Sequence, residues 1–276
     1  MRVFIVGLGL IGGSYAAGLS GAGHRVHAYD IRDEVLEEGK RLGLLAPDNG
    51  IDRLAEADLV VLCLYPKDNV AFIEAHRESL GPGQLVTDVS GTKEAIIPLI
   101  EKALPENVRY LSHHPMAGKA VGGFENRDSA MFVGANFLIV ETALSTKEDI
   151  RMLEGLAKDL KFGKIMVTDA ARHDHLIAFT SQLAHVIAIS LMQCDTSTDT
   201  PRATGDSFRD LTRIANINDD MWSELFLSNG KALTEVIDRF QDEVTRLREA
   251  IVTENRDELR KTMRQAREKR KAFERT

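Results

Sequence analysis

No stretch of the chain narrows its fold as far as the first one, MRVFIVGLGLIGGS. Four apolar residues, Val3 to Val6, run without a break into Gly7-Leu8-Gly9-Leu10-Ile11-Gly12. That order describes a buried strand turning sharply into a helix, and the turn has the form G-x-G-x-x-G. Each glycine answers a steric demand. Gly7 permits the tight turn, Gly9 lets backbone N–H groups approach a pyrophosphate, and Gly12 lets the helix pack closely on the strand. The helix N-terminus then offers unpaired N–H groups and a partial positive charge to phosphates. Taken alone, the motif also fits an ordinary glycine-rich turn. The next strand decides between the two: HRVHAYD ends in Asp30, close to the roughly 20-residue offset of a ribose-binding carboxylate. Gly7, Leu8, Gly9, Leu10, Ile11, Gly12 and Asp30 are therefore expected to hold a dinucleotide. A carboxylate at Asp30 accepts bonds from ribose hydroxyls and repels a 2′-phosphate, which favours NAD over NADP; Arg32, two residues on, softens that preference.

Beyond Asp30, short apolar runs keep alternating with helical stretches. ADLVVLCLYP, QLVTDVS, VRYLSHHP, NFLIVET and KIMVTD read as strands. EVLEEGKRLG, with Asp33 as its N-cap, DNVAFIEAHRESLG, EAIIPLIEKAL and Lys147–Leu160 read as helices, and Pro98 gives the third of these a kink or a late start. This alternation predicts an α/β fold, a Rossmann-type doubly wound parallel sheet whose ligands bind beyond the carboxyl ends of the strands. After Asp169 no β-run returns. AARHDHLIAFTSQLAHVIAISLMQ reads as one long helix with a broad apolar face, and helices follow around 208–216, 219–229, 231–249 and 256–274. The expected division is a dinucleotide-binding domain over 1–169 and an all-α domain over 170–276. The long apolar stretches of that second domain predict burial in a homodimer.

Composition bounds the partners. With 43% hydrophobic and 28% charged residues the chain suits a globular fold, and a net charge of −7 argues against nucleic acid as the main partner. The charged final helix reads as a solvated face with internal ion pairs rather than a nucleic-acid or membrane contact. Cys63 and Cys194 lie far apart and outside any C-x-x-C pair, which fits a reducing cytoplasm. The apolar start could pass for a secretory signal, but its glycines are needed in the mature protein, and no apolar run is expected to span a membrane. A metal centre built from His173, His175 and His185 is disfavoured, because the first two project differently from a helix and no acidic pattern joins them.

Three further clusters carry candidate chemistry. In His113-His114-Pro115-Met116-Ala117-Gly118, Pro115 forces an extended backbone at His114, and the small residues after it let a ligand come close. A histidine at a strand's carboxyl end, near a nicotinamide, suits a general base. The two histidines project to opposite sides of a strand, so at most one serves. Ser181, Gln182 and His185 share one face of the long helix and interrupt an apolar surface, which fits either a site wall or a buried hydrogen-bond cluster. In FRDLTRIA (208–215), Arg209 and Arg213 are like charges one turn apart, which predicts an anion there or separate partners, with Asp210 placed to steady Arg213. A bidentate arginine suits a carboxylate.

Taken in order, GLGLIGGS, Asp30, TDVSGTK (87–93), HPMAG (114–118), HDHLIAFTSQLAH (173–185) and FRDLTRIA resemble the prephenate/arogenate dehydrogenase family over nearly the whole chain. The resemblance implies a nucleotide-binding domain followed by a helical substrate and dimerisation domain. It also implies oxidative decarboxylation of a cyclohexadienyl substrate in tyrosine biosynthesis. His114 would be the catalytic histidine that takes the proton of the ring C4 hydroxyl as hydride leaves C4 for NAD. Arg213 would hold a substrate carboxylate, and His185 matches the second histidine of the family's S-H-L-P-H run, with Ser181 and Gln182 beside it in the substrate pocket. Three departures fall in that pocket. The family serine of D-x-G-S-V-K is replaced by Gly91, with the hydroxyl moved to Ser90 or Thr92. The first histidine of S-H-L-P-H is Gln182. The loop after HPMAG reads Lys119-Ala120 where many members carry an acid.

The expected function is an NAD-dependent prephenate dehydrogenase with His114 and Ser90 in catalytic positions; arogenate is the nearest alternative substrate. A β-hydroxyacid dehydrogenase would place a lysine on the interdomain helix, where this chain has His173, Ser181 and His185. A non-catalytic NAD-binding sensor would have no need of His114 and Arg213.

Overall fold

The computed structural model describes residues 1–119 and 121–273. Ala120, and the last residue of the expected final helix, lie outside the described residues. The chain divides into two compact units, residues 1–229 and 230–276.

The first strand, β1 (Arg2–Val6), explains the unbroken apolar run that opens the chain. Val3 and Ile5 enter one core, whereas Phe4 and Val6 enter another on the opposite side. A strand covered on both faces needs apolar side chains at every position rather than at alternate ones. Helix α1 (Leu10–Gly21) leads to β2 (Arg25–Tyr29), and α2 (Asp33–Arg41) follows it. Asp33, expected as the cap of α2, is its first helical residue, with Arg32 in the cap position. Next come β3 (Leu59–Leu62), α3 (Pro66–Ala75), β4 (Leu85–Asp88) and α4 (Ile97–Ala103). The late start predicted from Pro98 is seen in α4, where the proline occupies the first turn. A short β5 (Arg109–Tyr110) completes a parallel sheet of order β2-β1-β3-β4-β5. The strand order reverses direction at β1, so the carboxyl ends of β1 and β3 flank the crevice where such sheets take ligands.

The stretch VRYLSHHP, expected as one strand, is divided at Leu111. Its second part, β6 (Ser112–Pro115), leaves the first sheet and pairs antiparallel with β7 (Phe137–Val140). Helix α5 (Lys147–Asp159) carries the chain to β8 (Ile165–Thr168), which lies parallel to β7. The molecule therefore has a second, mixed sheet, β6-β7-β8, beside the parallel one. Apolar periodicity reports which residues are covered, not which neighbour a strand pairs with, and this is why the division escapes the sequence.

After β8 the unit is helical. Asp169 caps α6 (Ala170–Ile177), accepting the N–H of Arg172 at 2.8 Å. The expected single helix is interrupted by a π-helical turn, Ala178–Gln182, before α7 (Leu183–Gln193). Contrary to the sequence expectation, this 24-residue stretch reaches the length and composition of a membrane span, with mean hydropathy 1.5. Short helices α8 (Thr200–Ala203) and α9 (Asp206–Thr212) follow, then a 3-10 turn (Arg213–Ala215) packed on α7, and α10 (Asp219–Ser228). The second unit holds α11 (Gly230–Val252) and α12 (Arg256–Ala272), an antiparallel pair joined where Arg246 reaches Thr262 at 3.5 Å and Glu258 at 3.9 Å.

Candidate active site

The glycine turn has the geometry its spacing predicts. Gly7 adopts φ +90°, and a Cβ on Gly12 would stand 1.9 Å from the carbonyl oxygen of Gly7. Only glycine fits at either point. At Gly9 a Cβ would meet nothing within 4 Å, and no side chain caps α1 there. The open space and the uncapped helix N-terminus together form a cradle for an anion, with the first N–H groups of Leu10 and Ile11 beside it. Leu8 plays a different part. Its side chain is fully buried, and its N–H donates to Asp30 Oδ2 at 2.8 Å. Asp30 Oδ1 accepts the N–H of Arg32 at 3.0 Å, and the Arg32 guanidinium stands 3.4 Å from the same oxygen. The acid is thereby fixed at the end of β2, over a cleft lined also by Leu36, Asn49 and Ile51. These residues fit a dinucleotide.

The tandem histidines divide as strand geometry requires. His113 is fully buried; its Nε2 pairs with the Tyr15 hydroxyl at 2.7 Å and its Nδ1 with Thr87 Oγ1 at 2.6 Å. Burial, helped by the charge of Lys93, pushes its pKa down to about 3. Both nitrogens are committed, so His113 is a structural residue. His114 is half-buried, and its Nδ1 lies 3.0 Å from Nε2 of His173. Its Nε2 has no hydrogen-bond partner among the described residues. Burial, and then the proximity of His173 and Lys93, hold its pKa well below 6.5. The ring is neutral at pH 7 and has one nitrogen to offer.

The segment after β4 supplies a second polar group. Ser90 donates its N–H to Asp88 Oδ2 at 2.9 Å, while its buried hydroxyl has no partner among the described residues. The Thr92 hydroxyl, in contrast, is paired with Ser228 Oγ at 3.1 Å. Between them, a Cβ on Gly91 would press on Leu225 Cδ2 at 3.1 Å. Beneath this turn Asp88 and Lys93 form a wholly buried ion pair at 2.9 Å. Burial opposes the charge of Asp88, but Lys93 and the hydroxyls of Ser112 and Tyr110 outweigh it and keep the carboxyl below its usual range. Lys93 Nζ also donates to the carbonyl of His113 at 2.7 Å, fixing the strand that carries His114.

The helical residues are less uniform in role. His185 Nδ1 donates to the Ser181 carbonyl at 2.9 Å, and its ring lies on Trp222 with centroids 3.6 Å apart. Burial and the charge of Arg213 lower its pKa, whereas the bond to Ser181 opposes the shift. Arg213 is exposed and forms no ion pair among the described residues, with Asp210 or any other acid. Arg209 turns the other way, to Asp206 Oδ1 and the Thr204 carbonyl, both at 3.3 Å. The two arginines thus have separate surroundings, one of the outcomes their spacing allowed. Gln182 is buried, donating to the Leu225 carbonyl at 2.9 Å and accepting from Asn229 at 2.8 Å. Lys119 bonds within its own loop, to Asp128 at 3.0 Å and the Asn126 carbonyl at 3.2 Å.

Sequence reasoning gave Asp88, Lys93 and Asp174 no role of their own, and weighed His173 as a metal ligand and as a residue standing where a β-hydroxyacid dehydrogenase places its lysine. Among the described residues no cluster is suited to hold a metal ion. A charged pair within TDVSGTK was a signal in reach, since Asp and Lys in an apolar strand-to-turn context imply mutual neutralisation.

A family model described as the nucleotide-binding domain of prephenate dehydrogenase matches residues 16–166, and one described as its dimerization domain matches 169–265. A cyclohexadienyl dehydrogenase from Zymomonas mobilis is 29% identical over 94% of this chain and 91% of its own length. A prephenate dehydrogenase from Bacillus subtilis is 26% identical over 93% of this chain and 72% of its own. Among solved structures, prephenate dehydrogenase from A. aeolicus in complex with hydroxyphenyl propionate and NAD+ superposes with a TM-score of 0.87 at 25% identity, covering 99% of this chain and 98% of that one. The nucleotide-binding and dimerization models follow one another over residues 16–166 and 169–265, and this chain belongs to the prephenate dehydrogenase family.

Proposed function

We propose that the protein is an NAD-dependent oxidoreductase that converts prephenate to 4-hydroxyphenylpyruvate, the step that commits a cyclohexadienyl compound to tyrosine. The observation that carries this reading is the asymmetry of the tandem histidines, with His113 fully bonded and His114 holding one unpaired nitrogen. NAD, when bound, supplies the acceptor for hydride from ring C4. His114 Nε2 takes the proton of the C4 hydroxyl, and its lowered pKa leaves it unprotonated and ready at neutral pH. Loss of carbon dioxide follows because it makes the ring aromatic. The free Ser90 hydroxyl takes the place of the serine that Gly91 displaces, since Thr92 is already engaged by Ser228.

Arg213, lacking an ion-pair partner among the described residues, binds a substrate carboxylate, and His185 and Ser181 line the same side. Gln182 holds that wall to the end of α10 rather than touching substrate. Gly7 to Gly12 hold the pyrophosphate and Asp30 the adenosine ribose, with NAD preferred to NADP because Asp30 repels a 2′-phosphate and engages Arg32. The exposed apolar surface of α6 and α7, of whose most apolar window 28% is buried, is the face for a second copy of the chain. The domain division falls near Asp169, which caps α6. Free Cys63 and Cys194 suit a cytoplasmic enzyme.

Arogenate differs from prephenate only in carrying an amino group for the side-chain keto group. Parallel assays of NAD and NADP reduction with prephenate, arogenate and a small hydroxyacid test the proposal. Turnover of prephenate with NAD is expected; turnover of the hydroxyacid alone would overturn it.

A further inference from the structure

We infer that His173 and Asp174 act as a positioning pair that fixes the tautomer of His114, so that its Nε2 presents a lone pair to the substrate and its Nδ1 keeps a proton. The inference rests on the reading of His114 as the base and deepens it.

Donors and acceptors alternate along these contacts, beginning at the acid. Asp174 is buried, and its carboxylate accepts the backbone N–H of Lys93 on Oδ1 at 2.8 Å and that of Glu94 on Oδ2 at 2.9 Å. A carboxylate spent on backbone donors is an acceptor. Nδ1 of His173, 2.7 Å from Oδ1, must therefore carry the proton of that contact. His173 is itself fully buried, and burial lowers its pKa below 6.5, although Asp174 works against the shift. A neutral ring protonated at Nδ1 has only a lone pair at Nε2. That lone pair faces His114 Nδ1 at 3.0 Å, so the hydrogen between the two rings belongs to His114. A neutral His114 protonated at Nδ1 is bare at Nε2, and Nε2 is the nitrogen without a protein partner among the described residues.

The chain of contacts also serves the reaction. When the substrate O–H bond breaks and the proton forms a bond to Nε2, His114 becomes an imidazolium that keeps its Nδ1 proton. His173 still accepts that N–H, and the Asp174 carboxylate, one ring away, stabilises the new positive charge. No proton leaves His114 Nδ1 in this step.

Two-bond 1H–15N correlation spectra of protein labelled at histidine nitrogen test the inference without any substrate. The His114 resonances are assigned by their loss in His114→Asn. Nδ1 of His114 is expected to be protonated and Nε2 bare; the opposite assignment would overturn the inference. In folded His173→Leu the two tautomers should mix, with kcat down about 10- to 100-fold, KM unchanged, and partial recovery in His173→Gln, whose amide oxygen can accept from Nδ1. An unchanged kcat in a folded His173→Leu protein with mixed tautomers would also overturn it. If neither cyclohexadienyl compound is turned over, the functional reading fails, while the spectra of the parent protein still decide the tautomer. The same spectra decide it if His173→Leu does not fold.

Discussion

Lys93 Nζ lies 2.9 Å from Asp88 Oδ2, and neither side chain has any exposed surface. Removing one partner strands the other as a buried charge. Lys93→Ala is expected to cost about 3–5 kcal/mol of folding free energy, read from urea denaturation midpoints. A cost near that of an exposed pair, under about 1 kcal/mol, would mean that water reaches Asp88.

The two adjacent histidines should respond differently to the same change. His114→Asn is expected to lower kcat by about 10²–10⁴-fold with little effect on nucleotide affinity or melting temperature. His113→Asn should act on stability first, because it breaks the bonds to Tyr15 and Thr87 inside the core. Steady-state kinetics beside thermal melts separate the two, and a kinetic defect confined to His113→Asn would refute the assignment of the base.

A base with a lowered pKa sets the acid side of the pH profile. In the proposed role His114 must be unprotonated to act, and burial holds its pKa well below 6.5. As pH falls, kcat/KM should therefore hold steady past pH 6.5 and decline only at lower pH, where the ring takes up a proton. Initial rates across that range check the sign; an acid limb centred above 6.5 would contradict it.

Arg213 and Arg209 offer an internal control. Arg213→Ala should raise KM about 10- to 100-fold with a smaller change in kcat, as expected when a charge-assisted hydrogen bond to a carboxylate is removed. Among the described residues Arg209→Ala breaks polar contacts to Asp206 and Thr204, and it should leave KM within about twofold.

Within the glycine turn, space predicts which substitutions are tolerated. Gly9→Ala meets nothing within 4 Å, so folding stability should stay within about 0.5 kcal/mol while nucleotide affinity falls tenfold or more, by roughly 1.4 kcal/mol. Gly12→Ala drives a methyl group against the Gly7 carbonyl and should disrupt the turn itself. Calorimetric titration with NAD and thermal melts distinguish the cases.

What could be read from sequence was local. Val3 to Val6 and the glycine spacing announced a buried strand turning sharply into a helix, because their causes lie within a dozen residues. The division at Leu111 was not legible, because it depends on whether a strand finds β4 or β7 as its neighbour. The π-helical turn at Ala178–Gln182 has no proline or glycine to mark it. His114 and His173 meet across 59 positions of chain, so no motif contains both, and the part played by Asp174 is visible only once β6 and α6 are side by side. Gln182 showed the limit of spacing arguments: it is a buried tie to Leu225 and Asn229, while His185 on the same helix face lies half-buried against Trp222.

The π-helical turn also acts as a phase adjuster between two halves of one long helix. An α-helix advances about 100° per residue, and the single additional residue of a wide turn offsets everything downstream by that amount. Deleting one residue from Ala178–Gln182 would leave His173 facing His114 but swing His185 away from Trp222 and Arg213. One rod of backbone thereby serves two differently aimed sets of side chains, and their relative bearing is stored in a single misfit of helical pitch.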